Sequence, residues 1–345
     1  MKWSTNSAWL EQGPESDVVL SCRARLARNI AGFPFVARAS DNQRAEIFNL
    51  SRQVLRQLDL GQDLLWFDLR EAAANELMLL LVERHLISRH HAEMDLPRAV
   101  AITPDERVSI MVNEEDHLRM QFLAPGLQFE HALLEINRID DKVESRLDFA
   151  FSSRWGYLTA CPTNVGTGIR FSTMLHLPGL KLAKDIDRVR RAAKDMHLAV
   201  RGYYGEGSDS AGDFYQISNQ ITLGASEADI LDAFSAKILP QIIAYERKAR
   251  EVLVSKRSTY LDDRIFRAVG VLQSARIIDV KEAMKLLSRI RLGVCLGRLP
   301  DFELATINQL FLRIQPAHLR MMSPTPLRDE ELSIARAAFI RKTLG

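Results

Sequence analysis

The chain has 345 residues, 47% of them apolar and 26% charged, and a formal net charge of +2. That length accommodates one large domain plus a smaller one, and the near-neutral balance argues against direct nucleic-acid binding by bulk electrostatics. Three widely spaced cysteines (Cys22, Cys161, Cys295) fit a reducing compartment better than a disulfide framework. The polar segment Met1–Ser16 has no signal-peptide core and no apolar run reaches membrane-spanning length, so a cytoplasmic protein with no membrane association is expected.

In chain order, Val18–Ser21 reads as a strand running into Arg23-Ala24-Arg25. Arginines two apart share one face of extended chain. Two guanidiniums on one face repel unless an anion lies between them, and a polyphosphate matches their planar fork. A solvated surface pair, extended by Arg28, is the competing reading. Ile47, Leu50, Val54 and Leu58 recur at helical spacing, giving an amphipathic helix over Asn42–Leu58. A second helix is expected over Glu76–Ile87, with His85 near its end, where packing or capping competes with ligand binding. The adjacent His90 and His91 lack metal-ligand spacing. Val100–Ile102 and Ser109–Val112 read as two antiparallel strands around Pro104-Asp105.

The segment that follows, Asn113-Glu114-Glu115-Asp116-His117-Leu118-Arg119, places three carboxylates, an imidazole and a guanidinium together at a strand end. A carboxylate there can hold and polarise a cationic substrate while an arginine holds an anionic one. Moving a phosphoryl group onto a guanidine nitrogen has that requirement.

Gly156–Ala160 reads as a short strand leading into the loop Cys161–Gly168, closed by Arg170. The loop lacks the Lys-Ser/Thr of a Walker sequence, but its backbone N–H groups can line an anion site. Cys161 is either a small buried side chain or part of that site. Ser172–Val200 is expected to be mostly helical. In Arg201-Gly202-Tyr203-Tyr204-Gly205-Glu206-Gly207 a glutamate lies between glycines, as in a loop that folds over a ligand or in an exposed hairpin tip. Ile217, Asn219, Ile221 and Leu223 alternate with polar residues, a strand whose polar face suits a cleft. Beyond Gly224 only helices and turns are expected, opened by a capping sequence at Ser226-Glu227-Ala228-Asp229. Arg247–Ser255 suggests a hinge, and Asp262-Asp263-Arg264 a solvated helix face. The irregular strand spacing favours an α+β fold, an antiparallel sheet flanked by helices, over a doubly wound parallel sheet. Residues 1–246 would form the sheet domain and 247–345 a helical C-terminal domain.

Ser21–Arg25, Asn113–Arg119, Cys161–Arg170 and Arg201–Glu206 together resemble the ATP:guanido phosphotransferases, which include creatine and arginine kinases. They occur in the family's order, and the resemblance covers residues 18–225. Small-guanidine kinases carry a helical domain before the paired-arginine strand. Here that strand begins at Val18 and a helical segment follows instead. This layout, with Arg-Gly-Tyr-Tyr-Gly-Glu-Gly-Ser, resembles the bacterial protein-arginine kinases (the McsB family).

The resemblance implies a glutamine-synthetase-like catalytic fold and ATP with Mg²⁺, the ion held by no dedicated protein ligands. Arg23, Arg25, Arg119, Arg170 and Arg201 would clamp the phosphates, with His85 near the nucleotide. Glu115 and Glu206 would grip the substrate guanidinium, with Cys161 beside it, leaving Glu114 and Asp116 supporting roles. It also implies protein substrates bearing exposed arginine, a zinc-containing adaptor, delivery of tagged proteins to a Clp ATPase or control of stress regulators, and a homodimer. A small-guanidine kinase and a non-catalytic adaptor that binds phosphoarginine or ATP are the alternatives. The likeness departs from the family's Arg-Asp-x-x-Arg-Ala motif, where Leu332 and Ser333 replace the Arg-Asp pair. Allosteric sensing of phosphoarginine is therefore not expected.

Overall fold

In the computed structural model, which describes residues 6–70, 74–203 and 211–345, the chain begins with β1 (Val19–Arg28), α1 (Asp41–Arg56), β2 (Leu65–Asp68), α2 (Ala74–Glu83) and α3 (Arg89–Glu93). Next come β3 (Ala99–Ile102), β4 (Val108–Val112), β5 (Leu118–Pro125) and α4 (Phe129–Glu144). The short pair β6 (Phe151–Ser152) and β7 (Gly156–Tyr157) precedes β8 (Ile169–His176), α5 (Pro178–Leu182), α6 (Ile186–Asp195), β9 (Leu198–Gly202) and β10 (Phe214–Asn219). The rest is helical: α7 (Glu227–Leu231), α8 (Leu239–Lys256), α9 (Ser258–Ser274), α10 (Val280–Cys295), α11 (Leu304–Arg313), α12 (Pro316–Met322) and α13 (Asp329–Leu344).

Eight strands make one sheet in the order β2-β3-β4-β5-β1-β8-β10-β9, and every neighbouring pair is antiparallel. The α+β reading therefore holds. Alternation along each strand sends side chains to two different cores. Ala24, Leu26, Ile110, Met120, Phe122, Phe171 and Ile217 pack with Ile47 and Phe48 of α1 and Phe129, Ile136 and Val143 of α4. The opposite face contributes Val100, Met111, Leu123, Met174 and Phe214 to a second core, which continues into Leu261, Leu287, Ile290, Phe311 and Ile340 of the C-terminal helices. Burying one such side chain is worth about 1.5–3 kcal/mol, so the helical segment is packed on the sheet by many such contributions.

Several expectations need correction. The arginines Arg23 and Arg25 lie inside β1, which runs on to Arg28. The helix expected to reach Ile87 ends at Glu83, and His85 follows with a left-handed φ of +59°. Ser172–Val200 is not mostly helical. It begins in β8 and ends in β9, with two short helices between. The helical pattern of the charged run Lys181–Lys194 belongs to the two short helices and does not extend to the strand segments on either side. The strand at Ile217 stops at Asn219, and the one at Gly156 stops at Tyr157. The suggested hinge, Arg247–Ser255, is continuous helix within α8. The capping box at Ser226 is present.

Candidate active site

Cross-strand register brings the arginines together. Arg25 stands opposite Gln121 of β5 and opposite Arg170 of β8. Arg23 faces Ser172, which faces Ser218 of β10. Gln216 faces Arg201 of β9. Arg119 lies two residues from Gln121, on the same face. Five guanidiniums from four strands thus share one face of the sheet. Fixed polar groups aim them: Arg23 Nε donates to Ser172 Oγ at 3.1 Å, and Arg170 Nε to the Asn219 carbonyl at 3.2 Å.

This crowding is electrostatically expensive. Burial, then the charges of Arg119, Arg170 and Arg201, push Arg23 down to about 9. Burial and the charges of Arg119, Arg23 and Arg170 push Arg25 down as well. Guanidinium keeps its proton in essentially every protein setting. The part of the depression that comes from neighbouring guanidiniums is the repulsion an anion between them would relieve. Arg28, the proposed extension of a surface pair, belongs elsewhere. It points to the opposite face, fully buried, with its NH2 nitrogen 2.5 Å from Asp140 of α4 and its guanidinium 3.6 Å from the Tyr157 ring centre.

The hairpin between β4 and β5 divides its acids by role. Glu114 is buried, 2.5 Å from Arg119, and accepts Ser88 Oγ at 2.6 Å and the Glu115 N–H at 2.9 Å. Burial works against ionisation, but Arg119 and these donors hold the carboxyl well below the usual range. Asp116 accepts Asn29 Nδ2 and the Ala160 N–H, each at 2.6 Å. Burial raises its carboxyl above the ordinary value against the pull of those donors, and Glu115 and Glu114 add to the rise. His117 is locked by Ile30 N–H into Nδ1 at 2.9 Å and by its Nε2 on the Pro34 carbonyl at 2.9 Å. Only Glu115 is exposed, at the hairpin tip.

The Asp116–Ala160 bond draws the next loop to this tip. Cys161 follows directly, partly exposed, its Sγ 3.1 Å from Thr163 Oγ1. The loop is pinned from below: Thr222 Oγ1 donates to the carbonyls of Thr163 and Val165 at 2.9 and 2.8 Å. Gly166 has φ of +112°, and a Cβ there would meet the Thr222 carbonyl oxygen at 2.5 Å. Glycine is required by both the dihedral and the close approach.

His85 lies beneath the cluster, in a cavity of about 30 Å³ that it lines with Arg23, Trp9 and Tyr203. Its ring meets Trp9 and Tyr203 edge-on, with centroids 5.5 and 5.1 Å apart. Burial, aided by Arg23, lowers its pKa to about 3, so the ring is neutral. Glu206 lies outside the described residues. Sequence reading gave Ser88, Asn29, Ala160 and Asn219 no role, although they position the site. None carries a charge or a motif, and only the folded contacts reveal them.

The sequence profile of the ATP:guanido phosphotransferase C-terminal catalytic domain matches residues 46–249. That of the protein-arginine kinase McsB C-terminal domain matches residues 258–345. A protein-arginine kinase from a Geobacillus species (strain WCH70) is 44% identical over 98% of this chain and 94% of its own. The chain belongs to the protein-arginine kinase family of the ATP:guanido phosphotransferases. Another protein-arginine kinase, from Pelotomaculum thermopropionicum, is 43% identical over 98% of this chain and 96% of its own. The fold is also that of lombricine kinase, with a TM-score of 0.60 at 23% identity, over 72% of this chain and 71% of that one. The duplicated taurocyamine kinase of Schistosoma mansoni, solved with transition-state-analogue components, gives a TM-score of 0.62 at 24% identity. That likeness covers 72% of this chain but only 35% of the duplicated one. As a protein-arginine kinase family member the chain is a kinase that uses ATP. Its paired arginines, Arg23 and Arg25, lie before the matched catalytic span, and the β1 register joins them to it. Among the described residues no helix is long and apolar enough to cross a membrane.

Proposed function

We propose that the protein transfers the γ-phosphoryl group of ATP to arginine side chains of other proteins. The observation that carries this reading is the five-arginine face of the sheet next to the hairpin that exposes Glu115. Arg23, Arg25, Arg119, Arg170 and Arg201 fit a polyphosphate, because burial and then mutual repulsion depress Arg23 and Arg25 and an anion relieves that repulsion. Among the described residues no three His, Cys, Asp or Glu side chains gather as a metal cage. A Mg²⁺ would be held chiefly by phosphate oxygens and water, and would neutralise charge on the transferred group. His85, neutral and packed under Arg23, supports the floor of this nucleotide site.

Arginine's guanidinium has a pKa of about 12.5–13.8, so its nitrogen is a poor nucleophile at neutral pH. Glu115 at the exposed tip, with Glu206 as its partner across the guanidinium, aligns that group and takes up its proton. A nitrogen lone pair forms the N–P bond as the bond from phosphorus to the ADP oxygen breaks. Cys161, held at the tip by the Asp116–Ala160 bond, borders the guanidinium. Exposure of Glu115 suits an arginine presented on a protein surface.

Labelled ATP incubated with free arginine, creatine and an arginine-rich protein tests this reading. Acid-labile label in the protein alone is expected, and label in free arginine would overturn it. A cytoplasmic homodimer that works with a zinc-containing adaptor and a Clp ATPase, and acts on stress regulators, belongs to the same proposal. Sizing columns and co-purification test those parts. Absence of phosphoarginine sensing is supported by Arg336, whose guanidinium donates to the carbonyls of Ile314 and Ile278 at 2.8 and 3.0 Å. Leu332, at the first replaced position, is buried.

A further inference from the structure

A second cationic site, none of whose lining residues belongs to the five-arginine face, lies in the seam between the sheet and the C-terminal helices. A cavity of about 630 Å³ is lined by Arg89, Lys181, Arg264, Lys281, Lys285 and Arg289, and Asp213 is the sole carboxylate among the described residues on its wall. Met284 and Leu292 supply an apolar floor. The volume suits a small organic ligand. None of the residues 332–337 lines it.

Its charges are poorly balanced. Asp213 is already engaged, accepting Lys181 Nζ and Ser288 Oγ at 2.6 Å each. Arg289 has no hydrogen-bond or ion-pair partner among the described residues. Burial, and then the charge of Arg264, hold it below its ordinary value. Arg264 stacks on Tyr260 with its guanidinium 4.5 Å from the ring centre, and its buried Nε has no acceptor among the described residues. Lys281 and Lys285, on consecutive turns at the N-terminal end of the 16-residue helix α10, are exposed and form no ion pair among the described residues. Arg264, Lys281, Lys285 and Arg289, four cations on one concavity with no ion pair among the described residues, are an arrangement that a polyanion completes.

We propose that this seam cavity binds a small molecule carrying two or more phosphate groups, at a site separate from the nucleotide site of the kinase. The phosphates would lie between Lys281, Lys285, Arg264 and Arg289, and any apolar body over Met284 and Leu292. Such a ligand would touch the Ala211–Asp213 segment that enters β10. Gly212 there has φ of +63°, and a Cβ on it would lie 3.2–3.3 Å from Phe311 and Met284. That segment is therefore wedged against α10 at the cavity wall.

Isothermal titration of the full chain with inorganic tripolyphosphate and, separately, with ADP tests the proposal. Two binding events are expected for at least one of these probes. The double variant Lys281→Glu/Lys285→Glu should weaken one event at least tenfold and leave the other, while Arg25→Ala should weaken only the other. Both lysines are exposed, and Lys281→Arg/Lys285→Arg, which keeps the charge, should retain both events if the loss is electrostatic. Tripolyphosphate alone giving the second event assigns the site to inorganic polyanions; ADP giving it as well assigns it to nucleotides. A single event, insensitive to the lysine changes, would overturn the seam site. Failure of Arg25→Ala to affect either event would instead count against the nucleotide site proposed for the arginine face.

Discussion

Asp116 accepts the backbone N–H of Ala160 at 2.6 Å, across 44 residues of sequence. The same Oδ1 accepts Asn29 Nδ2. One carboxylate oxygen thereby joins the end of β1, the β4–β5 hairpin and the loop that starts at Cys161. Glu115 and Cys161 flank this bond, one residue beyond each of its ends.

Asp116→Ala should remove the acceptor of the part-buried Ala160 N–H and one of the two acceptors of Asn29 Nδ2, a loss of about 1–3 kcal/mol. A lower melting temperature is expected, together with a loss of phosphoryl transfer larger than the loss of nucleotide affinity. Asp116→Asn, which retains one acceptor, should be milder on both counts. Thermal melts and single-turnover transfer measure the two effects. Unchanged transfer in a folded Asp116→Ala would show that the bond does not position the site.

Glu115→Gln keeps the size of the side chain and removes its basicity. General-base loss predicts a fall in transfer of about 10²–10⁴ with nucleotide affinity unchanged. Near-full activity in a labelled-ATP assay would remove Glu115 from the chemistry.

Arg25→Ala should behave differently with and without nucleotide. Alone, the variant loses one member of a repelling cluster, so its melting temperature should hold or rise. With ATP it forfeits a charge-assisted contact of about 1.5–3 kcal/mol, and the stabilisation by ATP should shrink accordingly. Differential scanning with and without ATP reads both. A protein destabilised equally in the two conditions would mean that Arg25 serves the fold and not the ligand.

Acid sensitivity follows from buried neutral histidines. His85 and His91 are lowered by burial to about 3 and about 4, and burial also lowers His176, His117 and His318. Each protonates in the unfolded chain near the ordinary imidazole value of about 6.5 before it does so in the folded one. The unfolded state therefore binds more protons as pH falls below that value, and stability drops with it. For His85 the drop continues to about 3, at about 1.4 kcal/mol per pH unit. His85→Gln should flatten the stability curve between pH 6 and 4 (about one proton's worth of slope by linkage). Denaturant titrations at stepped pH check it, and an unchanged slope would contradict a neutral, desolvated His85.

Much of this was legible in the residues. Period-two and period-3.6 patterns located β3, β4, α1 and the helical C-terminal third, because those signals are local. Charge chemistry at the β4 end singled out Glu115, and four motifs in order pointed to the family. Ser172–Val200 was misread, since two strands there are each too short to outweigh a charged stretch, and their partners lie more than a dozen residues away. Arg28 lies three residues from Arg25, so the alternation that pairs Arg23 with Arg25 turns it to the opposite face once β1 runs on to Arg28.

By itself, then, the sequence determined which charged groups are present and which short elements carry them. Only the tertiary structure decided which of those groups meet. Strand register put five arginines from four strands on one face, and the Asp116–Ala160 hydrogen bond fastened the Glu115 hairpin to the start of the Cys161 loop. Local propensity acts over a few residues, whereas a buried polar group must find its partner wherever the chain crosses it. That requirement, and not any motif, gave Asn29, Ser88 and Ala160 their places.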